Sequence, residues 1–418
     1  MAAPHDPPAR EAIDRLVDEV MEAAAAAAPA ARRRAFLHGL RRAPQRLRSA
    51  IGRLRRRGRG DESAAPGQHT LLAFPYWAGN HWQAIMYDDL RRNGWRVDAC
   101  AGLDDRGLRE LGAGDVLHVN WTSPVSQEPQ DLLDAAIAVR EAIDAMTALQ
   151  ARGGRVVWTV HNVLPHETAH VAPELALLRW LGTHADLVTI MNPHTLELTA
   201  GLYPIDPART VRIAHPSYLG WLPETLSRDQ ARDALGLADG EIAVAFLGRL
   251  RAYKGLDRLL AAHRVIHDDD DRFRLLIAGE RGEGFGDDDE RMLREAGAGV
   301  VTSIGRVPDD EMQRWLLAAD LLVLPYGADA LNLSLVEVAA TFGVPAAVSD
   351  GHGRGHLAAR SWVTILDDAD FAGSLRAAAI AARDDGEVRA AARRHADAVA
   401  PGAVSAAFRD AVERLLVT

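Results

Sequence analysis

The sequence predicts an α/β protein of two Rossmann-like domains facing each other across a cleft, preceded by a basic helical tail. Three observations lead there. The chain has 418 residues, too many for one ordinary domain and suited to two. From His69 onward short apolar runs alternate with longer helix-like stretches, and this pattern runs through once and then restarts. Before that point the composition is different: residues 1–60 hold 14 arginines and 6 acids, although the whole chain carries a net charge of -10.

Residues 1–66 read as a tail. The stretch 11–29 has helical composition, 32–59 holds 12 arginines and no acid, and 58–68 reads as a flexible linker. The first α/β unit, 67–218, has strand-like runs at 70–75, 96–100, 115–119, 155–160, 186–191 and 211–214. The junction falls at 216–224, HPSYLGWLPE. The second unit, 219–385, has strands at 243–248, 274–279, 299–305, 320–325 and 345–349, with helices at 255–267, 287–297, 309–319 and 334–342 between them. Strand–helix alternation implies parallel sheets covered by helices on both faces. The remaining residues, 386–418, read as helices that pack back toward the first domain.

Composition excludes several classes. A single cysteine, Cys100, permits no disulfide framework and favours a reducing compartment. No run of about 18 apolar residues is present, so no membrane-spanning helix is expected. The N-terminus lacks the basic-then-apolar pattern of a secretory signal. Of 48 cationic side chains only Lys254 is a lysine, which points to a position that requires a compact ammonium rather than a planar fork.

Two segments of the second unit carry the chemistry. In GRLRAYKG (248–255), Arg249 and Lys254 sit between two glycines in the loop from a strand to a helix, where open α/β sheets bind ligands, and two cations there suit a diphosphate. In PYGADALNLSLVEVAATFGVPAAVSD (325–350), a helix beginning near Ser334 offers free N–H groups and a positive dipole end. Ser334 and Glu337 have capping-box spacing, and Glu337 lies one turn in, placed for a ribose or sugar hydroxyl.

With these residues in view, the stretch from about 70 to 418 resembles the GT-B glycosyltransferases, most closely the retaining family 4 (glycosyl transferases group 1). GRLRAYKG followed by D-x7-E in a PYxxxxNxS…E…FGVP setting carries the resemblance, supported by LLIAGE and IGRVPDDEMQRWLLAADLLVLPY. The resemblance implies that Arg249 and Lys254 hold the donor diphosphate, with the backbone of Asn332, Leu333 and Ser334 beside them. Glu337 would meet the ribose, and Arg306 and Val307 the nucleobase. Asp329 stands where the family has a glutamate facing the donor sugar, one methylene shorter. Together with His161 and Glu337 it forms the implied catalytic set. In the first domain, FPYWAGNHW (74–82) replaces a Gly-Gly pair with Gly79-Asn80; His118, Asn120 and Asn162 follow strands and are expected to line the acceptor cleft, as are His166 and Glu167.

The implied activity is transfer of a hexose from a GDP- or UDP-linked donor to a glycan, lipid-linked or small-molecule acceptor, without a metal and without any cofactor beyond the co-substrate. A non-catalytic nucleotide-sugar sensor or scaffold and a nucleotide-sugar epimerase remain as alternatives on the same fold. The arginine-rich 32–59 fits an anionic membrane surface or a solubilising tail better than nucleic acid. This places the protein in the cytoplasm, free or at the inner face of the membrane.

Overall fold

A computed structural model describes residues 15–23, 69–165, 168–282, 284–327, 330–351 and 353–417. The arginine-rich 32–59, His166, Glu167 and Asp329 therefore lie outside the described residues. Two six-stranded sheets form the framework. In the first, β1 (Thr70–Phe74), β2 (Arg96–Ala99), β3 (Val116–Val119), β4 (Arg155–Val160), β5 (Leu187–Ile190) and β6 (Thr210–Arg212) run in the order β2-β1-β3-β4-β5-β6. In the second, β7 (Ile242–Leu247), β8 (Phe273–Gly279), β9 (Val300–Ile304), β10 (Leu321–Leu324), β11 (Ala346–Ser349) and β12 (Val363–Leu366) run in the order β12-β11-β10-β7-β8-β9. Every pairing is parallel. The fold class expected from the sequence is the one observed.

Strands covered on both faces read as continuous apolar runs, and all six residues of β7 are buried. The edge strand β12 escaped the sequence reading. Only its two ends, Val363 and Leu366, are buried, and the two residues between them are not. Strand order reverses between β1 and β3 and again between β7 and β10, and each reversal opens a crevice at the strands' carboxyl ends.

The last helices tie the halves together. Gly386–Ala398 packs on Ser334–Thr341, and Ser217 Oγ donates to the Ala396 carbonyl at 2.8 Å. Pro401–Val417 then crosses to the first domain and packs on His81–Met86 and Asp88–Arg92. There Phe408 is fully buried, its ring 4.9 Å from that of His118 and 6.1 Å from that of Tyr87. Ser405 Oγ accepts from the Asp89 amide at 2.8 Å, and Arg409 pairs with Asp89. Residues 15–23 of the expected tail are also docked: they form a helix whose Val20 and Met21 pack on Ala136 and Ile137 of the helix Leu132–Ala151, while its Val17 joins the N-terminal core. The i, i+3, i+4 spacing of those three apolar residues accounts for this.

Phe408→Ala removes a ring from the junction between the crossing helix and the first domain. It is expected to cost about 3–5 kcal/mol in urea unfolding. A loss below about 1 kcal/mol would show that the crossing helix does not brace the first domain.

Candidate functional site

The two crevices face one another and enclose a cavity of about 1030 Å³. Its C-terminal wall starts where β7 ends. Gly248 and Gly255 both have positive φ, 98° and 68°. A Cβ on Gly255 would lie 2.3 Å from the Pro325 carbonyl oxygen, so only glycine lets this loop close against the exit of β10. The tight loop carries Lys254 inward. Its side chain is only 8% exposed, its Nζ sits 5.0 Å from the centre of the Tyr326 ring, and no carboxylate of a described residue pairs with it. Burial, with the positive charges of Arg251 and Arg249, pulls its pKa from 10.5 down to about 8. Arg249 also lines the cavity, steered by a 2.6 Å bond from its Nε to Glu280.

Across the loop stands the helix Ser334–Thr341. Its N-cap is Leu333, with no side-chain cap, so the capping box suggested by the spacing of Ser334 and Glu337 does not form. Ser334 is the first helical residue, one position too late to cap. Of the first-turn amides, that of Val336 bonds the Leu333 carbonyl at 2.9 Å, while Ser334 and Leu335 line the cavity. Glu337 lies behind this wall rather than in it. Its carboxylate accepts from Arg360 at 2.8 Å and from His395 at 2.8 Å. Burial alone would raise its pKa; the His395 bond and the Arg360 charge override that and hold it below the usual carboxylate range.

The N-terminal wall is aromatic. The His161 ring stacks on Trp121 at 4.1 Å and meets the edge of Trp82 at 4.5 Å. Its Nε2 is buried and has no partner. Burial, with the neighbouring His118 and His215, keeps the imidazole neutral far below the usual histidine range. Asn80, Asn120 and Asn162 line the same cavity. Asn80 also caps the helix His81–Met86 through a 3.1 Å bond from the Gln83 amide, while Gly79 beside it stays out of the wall.

Several expected site residues are placed elsewhere. His118 is fully buried and outside the cavity: Nδ1 bonds Tyr87 at 2.8 Å and Nε2 bonds Thr159 at 2.7 Å, and burial depresses its pKa to about 3. It is a satisfied core histidine. The Asn332 side chain lines the cavity, yet its amide donates to the His161 carbonyl at 2.7 Å and so joins the domains. Leu333 is buried outside the cavity wall, and its neighbour Leu331 sits in the N-terminal core, where Asn192 donates to the Leu331 carbonyl at 2.8 Å. Arg306 is exposed and Val307 half-buried, both outside the wall.

Other residues of the site were not singled out from the sequence. Trp77, Trp121 and Tyr326 all follow strand ends within segments already marked as loops, which was the available signal. Glu174 is a lone acid in the apolar run VAPELALLRWL. It is fully buried at the cavity wall and accepts from Thr122 at 2.5 Å and from Ser126 and Gln127. Burial raises its pKa against the lowering effect of those bonds.

Comparison with known proteins agrees with this geometry. Residues 227–381 match the family model of glycosyl transferases group 1. A D-inositol 3-phosphate glycosyltransferase of Catenulispora acidiphila is 30% identical over 273 residues, covering 58% of this chain and 64% of that protein. A GDP-mannose:glycolipid 4-beta-D-mannosyltransferase of Xanthomonas campestris pv. campestris is 29% identical over 220 residues, 52% of this chain and 56% of that one. The chain thus spans less than two thirds of the length of these curated relatives. Among solved structures, Anabaena HepE in complex with UDP and glucose superposes with a TM-score of 0.62 at 13% identity, covering 83% of this chain and all of that one. The resemblance drawn from the sequence is borne out, by the family match in the second domain and by the two-domain GT-B fold of the whole.

Lys254 titrates near the working range, which gives a pH signature. The ammonium is charged below about pH 8 and neutral above it. A bound diphosphate favours the charged form, so nucleoside diphosphate affinity should fall as pH rises from 7.5 to 9.5. Lys254→Met should bind more weakly with no such slope. Calorimetric titrations across that range check this, and an identical slope in both proteins would detach Lys254 from the anion.

Proposed function

We propose that this protein, whose second domain matches glycosyl transferases group 1, moves a hexose from a nucleoside diphosphate sugar to an acceptor hydroxyl. One observation carries the reading: an ammonium and an uncapped helix N-terminus converge at the switch point of the second sheet. Departure of the nucleotide leaves charge on the diphosphate. Lys254, Arg249 and the amides of Ser334 and Leu335 act as fixed positive charge for it, with no reorganisation at the moment of bond breaking. In this reading these groups, rather than a metal, neutralise the leaving group. The carboxylate of Glu337, oriented by Arg360 and His395, retains acceptor capacity for a ribose hydroxyl. The family resemblance assigns Asp329 to the donor sugar.

His161 is neutral, with an unpartnered Nε2 at the cavity. It serves as a hydrogen-bond acceptor that orients a hydroxyl rather than as a strong base. Retention of configuration follows from the family resemblance. The named relatives support a GDP-linked hexose as donor and a glycolipid or an inositol phosphate as acceptor, and a UDP-linked hexose is the other donor of this reading. No helix of the described residues is long and apolar enough to cross a membrane. The arginine-rich 32–59 is assigned to an anionic membrane surface at the cytoplasmic face.

A thermal-shift panel of UDP, GDP and ADP with their hexoses should select one base, since a ligand at 100 times its Kd adds about 2.7 kcal/mol to the native state. Lys254→Ala should lower turnover of the selected donor by about 10²–10³ with the fold intact by circular dichroism. Near-normal turnover would refute the diphosphate assignment. Binding of the donor with no release of nucleotide, with or without acceptor, would favour the non-catalytic sensor instead.

A further inference from the structure

The cavity is electrostatically divided. All its cations, Arg249, Arg251 and Lys254, come from the second domain. Among the described residues, the first domain contributes no arginine or lysine to the wall. What it contributes is aromatic: Trp77, 45% exposed, lies 4.4 Å from Trp121, which in turn stacks on His161. The pair is held firmly. The Trp77 amide donates to Gln83 Oε1 at 2.8 Å, and Gln83 Nε2 donates to the Pro75 carbonyl at 2.7 Å, with Gln83 fully buried. On the other side, Thr122 and Ser126 anchor the loop after Trp121 to Glu174. The amide of Asn162 shares the cavity and supplies both a donor and an acceptor, while the Gln127 amide there is tied to Glu174 and His170 and the Asn120 amide to Tyr87.

We propose that Trp77, backed by Trp121, presents its free face as a stacking wall for the ring of an uncharged saccharide acceptor. A pyranose has a C–H face that packs on an indole and an edge of hydroxyls that a polar side chain such as Asn162 can bond. A phosphate-bearing ring, such as the inositol phosphate named for one relative, would need a cation, and the first domain presents none at the cavity among the described residues. The assignment rests on the transferase reading and narrows its acceptor to neutral sugar rings. Trp77 is the specificity-determining residue: it is exposed, so its replacement leaves the core untouched.

Saturation-transfer NMR titrations with methyl α-D-mannopyranoside, methyl β-D-glucopyranoside and D-myo-inositol 3-phosphate test this, on the wild type, Trp77→Ala and Trp77→Phe, with saturating nucleoside diphosphate. At least one methyl glycoside should bind the wild type. Trp77→Ala should weaken it roughly tenfold and Trp77→Phe by about twofold or less. Inositol 3-phosphate should not compete. No glycoside binding by the wild type, equal binding by Trp77→Ala, or tighter binding of inositol 3-phosphate would each overturn the proposal. Donor turnover by the wild type is measured in parallel. Its absence would refute the transferase reading alone, since glycoside binding is read without turnover.

Discussion

A buried ammonium with no carboxylate partner among the described residues is costly, and the second domain is arranged around one. Lys254 is held under Tyr326 with Arg249 and Arg251 nearby, and its pKa is driven down by burial and by those like charges. In the proposed reading, such a group lowers the cost of bringing a doubly charged anion out of water. The surroundings follow from it. Gly248 and Gly255 turn the loop inward, Gly255 lets it approach Pro325, and the helix Ser334–Thr341 starts without a cap so that its amides face the same space.

The second dependence is between the domains. The loop that carries the donor-side helix reaches into the first domain: Leu331 belongs to the N-terminal core, and Asn332 bonds the carbonyl of His161. Glu337, one turn into that helix, is tied to His395 on Gly386–Ala398, and the chain then crosses to bury Phe408 beside His118. The two walls of the cavity are thus registered by a few named contacts. A shift of one wall would be felt at His161, where the aromatic and polar parts of the cavity meet.

Much of this was legible in the sequence, for physical reasons. Central strands buried on both faces read as apolar runs; the edge strands β2, β6 and β9, although largely unburied, were legible within the strand–helix alternation, and the edge strand β12 was not. The diphosphate loop was visible because its glycines and its lone lysine are chemically distinctive. The polar residues were harder. Sequence position places His118 and His161 alike at strand ends, yet only tertiary packing makes the first a satisfied core residue and the second an unpartnered one at the cavity. Ser334 and Glu337 have capping-box spacing, but the helix begins at Ser334 itself, one residue too early for it, and Glu337 finds Arg360 and His395 instead. Trp77, Trp121 and Glu174 went unremarked because isolated aromatics and a lone acid signal nothing until the fold brings them to one wall.

The most direct measurement of the central claim is a crystal structure with a bound nucleoside diphosphate. The account predicts the diphosphate within hydrogen-bond distance of Lys254 Nζ and the amides of Ser334 and Leu335, at the switch point between β7 and β10. A diphosphate bound elsewhere, with Lys254 still buried under Tyr326 and touching no phosphate, would contradict it.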